Sequence, residues 1–367
     1  MRRDILELDT SSQAEYRRLE LTLGDVEAIR LVLSGASVVD WQRIEFADLE
    51  SVDRFLSTML LDMSDPTDRE RLRYVYNEAV SYLEEQLKLR FPQGMRHPTD
   101  VREVFMQAGQ WGGFRRRQIL ACAALKLMHV IHHMESADLK FKSPISEAEL
   151  FDLAEARILK MGRSMREAGL PVVSFYGSRK SRSSIITKLL AKKESLAATV
   201  FDKLRFRIVV ERNEDLLAVL TYMVRNFFPF NFVIPEQSHN NLFDPSALEA
   251  ELPAESQGRI QTLPDELRFT TGKNEFSGDT YRMINFIADF PVKLPESLPG
   301  TFGFELGRVV FLMIEFQLVD EATVRQNEEG DNAHHLYKER QYTQVARRLK
   351  RGGWRLKKKK KPGEETP

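Results

Sequence analysis

Over roughly the first 165 residues, apolar side chains recur at the three- and four-residue spacing of helices. Asp65-Pro66 followed by Thr67-Asp68 is a helix start signal. In the stretch that it opens, RERLRYVYNEAVSYLEEQLKLRF, Leu72, Val75, Ala79 and Leu83 fall on one face. Pro92, Gly94 and Pro98 interrupt the pattern. Gly112-Gly113 then precede FRRRQILACAALKLMHVIHHMESADL, a run apolar enough to predict a long buried helix. A further helix is predicted from about Ser146 to Ala168.

The pattern changes after Gly169-Leu170-Pro171. From Lys203 to Val210 it alternates, with Leu204, Phe206, Ile208 and Val210 on one face and Lys203, Arg205 and Arg207 on the other, as in a strand. A helix is predicted over about 215–227, and a strand in FNFVI after Pro229. YRMINFIADF (281–290) and RVVFLMIEFQLV (308–319) are two more strands by the same reading. The polar, Pro-containing stretch between Pro235 and Phe276 has the length of a functional loop or mobile segment. The fold class predicted is α+β: a helical N-terminal domain over 1–165, a sheet flanked by helices over 166–345, and a basic disordered tail over 346–367.

A chain of 367 residues is long enough for two domains with a core in each. Apolar residues make up 42% and charged residues 29%, which excludes collagen-like, low-complexity and wholly disordered chains. Cys122 is the sole cysteine, so no intrachain disulfide and no four-cysteine zinc site can form; the expected compartment is reducing. The N-terminal MRRDILELDTSSQ lacks the apolar core of a signal peptide, and no stretch approaches the roughly 20 apolar residues of a membrane span. A cytoplasmic protein with no membrane partner is predicted. The formal net charge is zero but uneven: Arg347–Lys361 holds ten Lys or Arg and no acid. Without those ten, 44 basic residues face 54 acidic ones, so the body carries about −10 and is no nucleic-acid-binding surface as a whole. Any RNA or ribosome contact would come from the tail, as salt-sensitive and nonspecific affinity.

Within RVVFLMIEFQLV, Glu315 and Gln317 point the same way because strand side chains repeat every two residues. A carboxylate in an apolar strand needs a partner, a proton or a metal. It reads either as a partnered strand-end glutamate or as a metal or base site with an amide beside it. Asp202 opens the Leu204–Val210 strand and reads either as a turn residue or as the second carboxylate of a hard, magnesium-type site. In GSRKSRSSIITKLLAKK (177–193), Lys180, Ser184 and Lys188 are four apart, one polar stripe if helical. The stripe is either a solvated face or a holder of polyphosphate. No P-loop pattern is present. His129, His132 and His133 lie outside any H-E-x-x-H pattern and read as interior or helix-surface histidines.

Taken together, these motifs resemble the synthetase domain of the RelA/SpoT family of alarmone pyrophosphokinases. Gly177, Lys180, Ser184, Ile185 and Lys188 are in register with a G-R-x-K-x-x-x-S-[IL]-x-x-K helix. Asp202 and Arg207 match a D-x-x-x-x-R strand. TYRMIN, with Tyr281, echoes the tyrosine strand, Glu315-Phe316-Gln317 matches E-[IFV]-Q, and His334-His335-Leu336-Tyr337-Lys338 matches a closing H-x-x-Y-K. The order holds over residues 175–340, about half of the chain.

The resemblance implies a nucleotidyltransferase-like mixed sheet and Mg2+-dependent transfer of pyrophosphate from ATP to the 3′-hydroxyl of an acceptor nucleotide, GDP or GTP in the family. Asp202 and Glu315 would hold the metal, with Glu315 also activating the hydroxyl. Arg179, Lys180, Ser184, Lys188 and Arg207 would hold ATP phosphates. Tyr281, Asn285, Gln317, His334, Tyr337 and Lys338 would take the acceptor. Ser178 replaces the family arginine, Thr280 a glycine, Asn285 a frequent histidine, and Leu318-Val319-Asp320 the usual I-R-T. The metal and phosphate residues are thus kept better than the acceptor residues. The alternatives are the same chemistry on an adenylate or a transfer-RNA 3′ end, and a silent nucleotide-binding regulator. The N-terminal half would regulate the site or mediate homo-oligomeric assembly.

Overall fold

The computed structural model describes residues 3–4, 21–34, 46–109, 115–191, 203–235, 237–245, 247–252, 281–298, 304–328 and 334–349. In chain order the elements are β1 (Arg3–Asp4), α1 (Leu23–Ser34), α2 (Leu49–Thr58), α3 (Pro66–Glu85), α4 (Gln93–Arg96), α5 (Arg102–Gly109), α6 (Arg115–Lys142) and α7 (Glu147–Glu167). There follow β2 (Val172–Arg179), α8 (Arg182–Ala191), β3 (Leu204–Val210), α9 (Asp215–Asn226), β4 (His239–Asn240), α10 (Ala247–Ala250), β5 (Ile284–Lys293), β6 (Val309–Asp320), α11 (Glu321–Glu328) and α12 (His334–Leu349). The fold is α+β with one mixed sheet, in the order β1-β2-β3-β6-β5-β4. Among the described residues only β3 and β6 run parallel; the other pairs are antiparallel.

The chain divides into two compact units. The first is Met1–Arg179, Phe201–Gly272 and Arg282–Arg325; the second is Lys180–Val200, Lys273–Tyr281 and Gln326–Pro367. The first holds the sheet and α1–α7 with α9, around one continuous apolar core. In the second, α8 and α12 pack together, and the Ser181 hydroxyl caps α8 by accepting from the Ser184 backbone N–H at 3.3 Å.

Local chemistry sets the helix ends. Asp65 accepts from the Thr67 N–H at 2.8 Å and Pro66 occupies the first turn of α3, where its missing N–H costs nothing. Ser146 and Glu149 close a capping box around the start of α7. Tyr76 is fully buried in α3 and donates its hydroxyl to the Met95 carbonyl; burial pushes its phenol up to about 12.

The two faces of the sheet differ in chemistry. On one, Phe175, Phe206, Phe316 and Phe286 stack across β2, β3, β6 and β5, with ring centroids 5.9, 6.2 and 5.6 Å apart. Each such contact is worth about 0.5–1.5 kcal/mol beyond area burial. Two glycines admit these rings. A Cβ at Gly162 of α7 would meet Phe175 at 2.6 Å, and one at Gly177 of β2 would meet Phe206 at 2.8 Å. Pro291 sits in β5 beyond the reach of β4, so its missing N–H breaks no ladder bond there. The Arg157 guanidinium donates to the Pro291 carbonyl and lies 4.6 Å over the Phe290 ring.

Three expectations are corrected. FNFVI is not a strand: after Pro229 the chain makes a 3-10 turn over Phe230–Phe232, and Val233 makes a lone bridge to Ala288. Its aromatic residues reach the core as a turn packed on it. The predicted long buried helix, α6, is buried on one side only. Ala121, Cys122, Ala124 and Leu125 are inside, while Ile119, Val130, Met134 and Phe141 face outward. Finally, Gly177, Ser178 and Arg179 end β2 and α8 begins at Arg182. Lys180 therefore precedes the helix that carries Ser184 and Lys188, and the three do not form a helical stripe.

Candidate active site

Around Gln317 the second face of the sheet is polar, and register assembles it. In the parallel β3–β6 ladder Arg205 lies beside Glu315 and Arg207 beside Gln317. In the antiparallel β5–β6 ladder Asn285 lies beside Gln317, and β4 places His239 beside Asn285. Arg207 donates through Nε and Nη2 to Gln317 Oε1, at 3.0 and 2.8 Å. Gln317 Nε2 in turn donates to Glu315 Oε1 at 2.9 Å. Three strand residues thus form one hydrogen-bonded chain from cation to amide to carboxylate.

Glu315 is 7% exposed and Gln317 5%. The second carboxylate oxygen, Glu315 Oε2, is buried with no hydrogen-bond partner, as are Asn285 Oδ1 and His239 Nδ1. Burying an unpaired carboxylate oxygen is costly, so this face is built to receive a donor or a cation. A hard divalent ion is a suitable occupant for a carboxylate oxygen. Burial also pushes the His239 imidazole below its usual range, keeping it neutral.

Arg179, at the end of β2, is held by α7: its Nη2 lies 2.5 Å from Asp152 Oδ1 and 2.8 Å from Glu155 Oε2. Burial opposes its charge, but the two carboxylates outweigh that and raise its pKa. The other expected residues fall elsewhere. Lys180, Ser184, Lys188, Tyr281, His334, Tyr337 and Lys338 belong to the second unit. Ser184 and Lys188 are half-buried on α8, Tyr281 is half-buried, and Lys338 is exposed on α12, which begins at His334. Asp202 lies outside the described residues, as does the basic run after Leu349. His239 escapes a reading of the sequence, since only the pairing of β4 with β5 brings it to this face.

The α6 histidines belong to a different environment. His133 Nδ1 lies 3.3 Å from Asp289 Oδ2 and its ring stacks on Phe311 at 4.4 Å. His129 Nδ1 is 3.2 Å from the Asn231 amide nitrogen. Among the described residues no group of three His, Cys, Asp or Glu is arranged to hold a metal ion, and no helix is long and apolar enough to cross a membrane.

No family model matches the chain, and no curated protein matches it. Among solved structures it is similar to small alarmone synthetase 2 from Bacillus subtilis, at 17% identity and a TM-score of 0.29, over 55% of this chain and 95% of that one. Small alarmone synthetase 1 from the same organism, solved with its product pppGpp, matches at 12% identity and a TM-score of 0.29, over 62% and 91%. A GTP pyrophosphokinase family protein from Streptococcus pneumoniae matches at 13% identity and a TM-score of 0.28, over 56% and 90%.

Proposed function

We propose that the chain is a pyrophosphokinase that moves the β,γ-diphosphate of ATP to the 3′-hydroxyl of an acceptor nucleotide, with GDP or GTP as acceptor by family resemblance. The observation that carries this reading is the Arg207–Gln317–Glu315 chain, which ends in a buried carboxylate oxygen without a partner. Glu315 Oε2 accepts the proton of the attacking 3′-hydroxyl. The oxygen then bonds to the β-phosphorus as the bond to the α-phosphate oxygen breaks and AMP leaves. Gln317 fixes the carboxylate through its other oxygen, and Arg207 fixes Gln317. Asp202 and Glu315 would together hold magnesium, which when bound screens the charge of the phosphate oxygens. Lys180, Ser184, Lys188 and Arg179 hold the phosphates in the ATP position, where positioning and charge stabilisation supply most of the catalysis. Tyr281 stacks on the acceptor base; Asn285, His334, Tyr337 and Lys338 complete the acceptor side. Arg179 serves ATP only by leaving Asp152 and Glu155.

The test is incubation of the purified protein with γ-labelled ATP and magnesium, and separately GDP, GTP, ADP or bulk transfer RNA. A labelled product with one acceptor, lost in Glu315→Gln, names the acceptor and supports the mechanism. A product on ADP or transfer RNA alone moves the acceptor away from guanine nucleotides. Folded protein that yields no product with any acceptor sinks the reading and leaves a nucleotide-binding regulator.

A further inference from the structure

The outward face of α6 carries Ile119, Val130, Met134 and Phe141 at 49, 46, 65 and 91% exposure. At 100° per residue these four lie within about 60° of one another, opposite the buried side of the helix. Ala123 and Ala137 fall in the same stripe, and Lys126 is the one charge between them. The stripe has a symmetry of its own. Counted outward from Val130, Ile119 and Phe141 are equally distant, as are Ala123 and Ala137, and Lys126 and Met134.

We infer that this stripe is a homodimer interface in which α6 packs antiparallel against α6 of a second copy, with the two-fold axis at Val130. A two-fold interface must be self-complementary, each residue meeting its mate across the axis. Here that operation sets Ile119 on Phe141 of the partner subunit, alanine on alanine where the helices approach closely, and Val130 on its own copy. Antiparallel alignment also opposes the two helix dipoles favourably. At about 200 Å² per large apolar residue, within the 150–250 Å² of aromatic ones, the four exposures amount to roughly 500 Å² per protomer and about 1,000 Å² per pair, the threshold for a biological interface and short of the 1,200–2,000 Å² of standard ones. A solvent-facing apolar stripe of that size matches the largest apolar patch of a typical monomer, of about 300–600 Å², which is often a functional surface. The same register brings the exposed Arg115 and Arg116, at the edge of the stripe, near Lys140 of the partner subunit. The like charges repel at low salt, so the dimer tightens as salt rises, the opposite of an association through the basic tail.

Sedimentation velocity of the full chain at low and high salt, with Val130→Glu and Val130→Cys, tests this. The wild type should sediment as a dimer whose dissociation constant falls with salt, and Val130→Glu should raise that constant at least about 30-fold by setting two carboxylates together. Circular dichroism should be unchanged, since Val130 is exposed. Val130→Cys should form an intermolecular disulfide under mild oxidation, because a residue on the axis meets itself; Cys122 is buried and should not compete. A monomer at all concentrations, a dimer that survives Val130→Glu, or a dimer whose Val130→Cys form does not cross-link overturns the inference. The cross-linking result decides even where Val130→Glu impairs folding.

Discussion

Acid should unfold the first unit earlier than its carboxylates alone would require, through the α6 histidines. Burial, then the neighbouring His133 and His132, holds His129 down to about 3. Burial, then Arg71 and His133, holds His132 to about 3, and burial holds His133 to about 4. Each ionises near 6.5 when unfolded. These are lowered base pKa values, so below pH 6.5 the unfolded chain binds protons that the folded chain refuses. Stability therefore falls as pH drops from about 6.5 toward the folded values. Between pH 7 and 5 each histidine costs about 2 kcal/mol, roughly 6 for the three. Asp289, facing His133 from β5, works the other way. Burial pushes its carboxyl up to about 6, so the folded chain takes up this proton first and recovers about 1 kcal/mol over the same range. A net loss of about 4 kcal/mol is a large part of the 5–15 kcal/mol typical of a folded domain. Urea denaturation at pH 7, 6 and 5 reads it directly, with a His129→Gln, His132→Gln, His133→Gln variant as the control. The wild type should lose most of that margin, and the variant should change little. An unfolding free energy that varies by less than about 1 kcal/mol across the range, or an equal fall in the variant, refutes the reasoning.

Glu315→Gln keeps the shape of the carboxylate but removes its charge; turnover in the labelled-ATP assay should drop at least about 100-fold with the melting temperature preserved. The Asp25 carboxylate on α1 takes two hydrogen bonds from Arg225 of α9, at 2.7 and 2.5 Å. Asp25→Ala removes both of these bonds and the partly buried ion pair, and should cost about 1–3 kcal/mol in urea denaturation. Gly177→Ala brings a methyl to 2.8 Å from Phe206, and the forced shift of the stacked rings should cost about 1–3 kcal/mol, seen as a lower thermal midpoint.

The elements most legible in the sequence are those that announce themselves locally. Ser146 with Glu149 marks the start of α7, and the alternation from Leu204 to Val210 marks β3 with its apolar and basic faces. β2 is not legible, because Val172–Arg179 mixes serine, glycine and arginine and runs into the basic segment before α8. By motif its glycine belongs with a helix; in the strand it makes room for the Phe206 ring. The exposed side of α6 is hidden for a different reason: apolar residues are spread over every side of this helix among polar ones, and so do not say which side meets the core. Glu315 and Gln317 are legible as a pair on one strand. Their link to Arg207, 110 residues away, depends on the parallel register of β3 and β6, which no local pattern encodes. His239 depends on a two-residue strand and leaves no signal.

The order of groups along that link bears on its chemistry. Had Arg207 reached Glu315 directly, the two charges would have neutralised each other, and the carboxylate would be a poor base and a poor ligand. An amide between them changes this. Gln317 accepts from the guanidinium with one end and donates to the carboxylate with the other, so orientation passes along the chain while the charge of Arg207 stays one side chain removed; Arg205, the ladder neighbour of Glu315, turns its Nε to Ser178 Oγ at 3.3 Å. Glu315 Oε1 is thereby fixed and Oε2 is left to whatever enters the face. Two adjacent strands, β3 and β6, hold these groups on a sheet whose opposite side is a stacked row of phenylalanines. A strand register tolerates little displacement, because a slip of one residue would turn Glu315 into that aromatic core. The apolar side of the sheet therefore does more than stabilise the unit: it pins the polar side in the one register where amide, carboxylate and guanidinium meet.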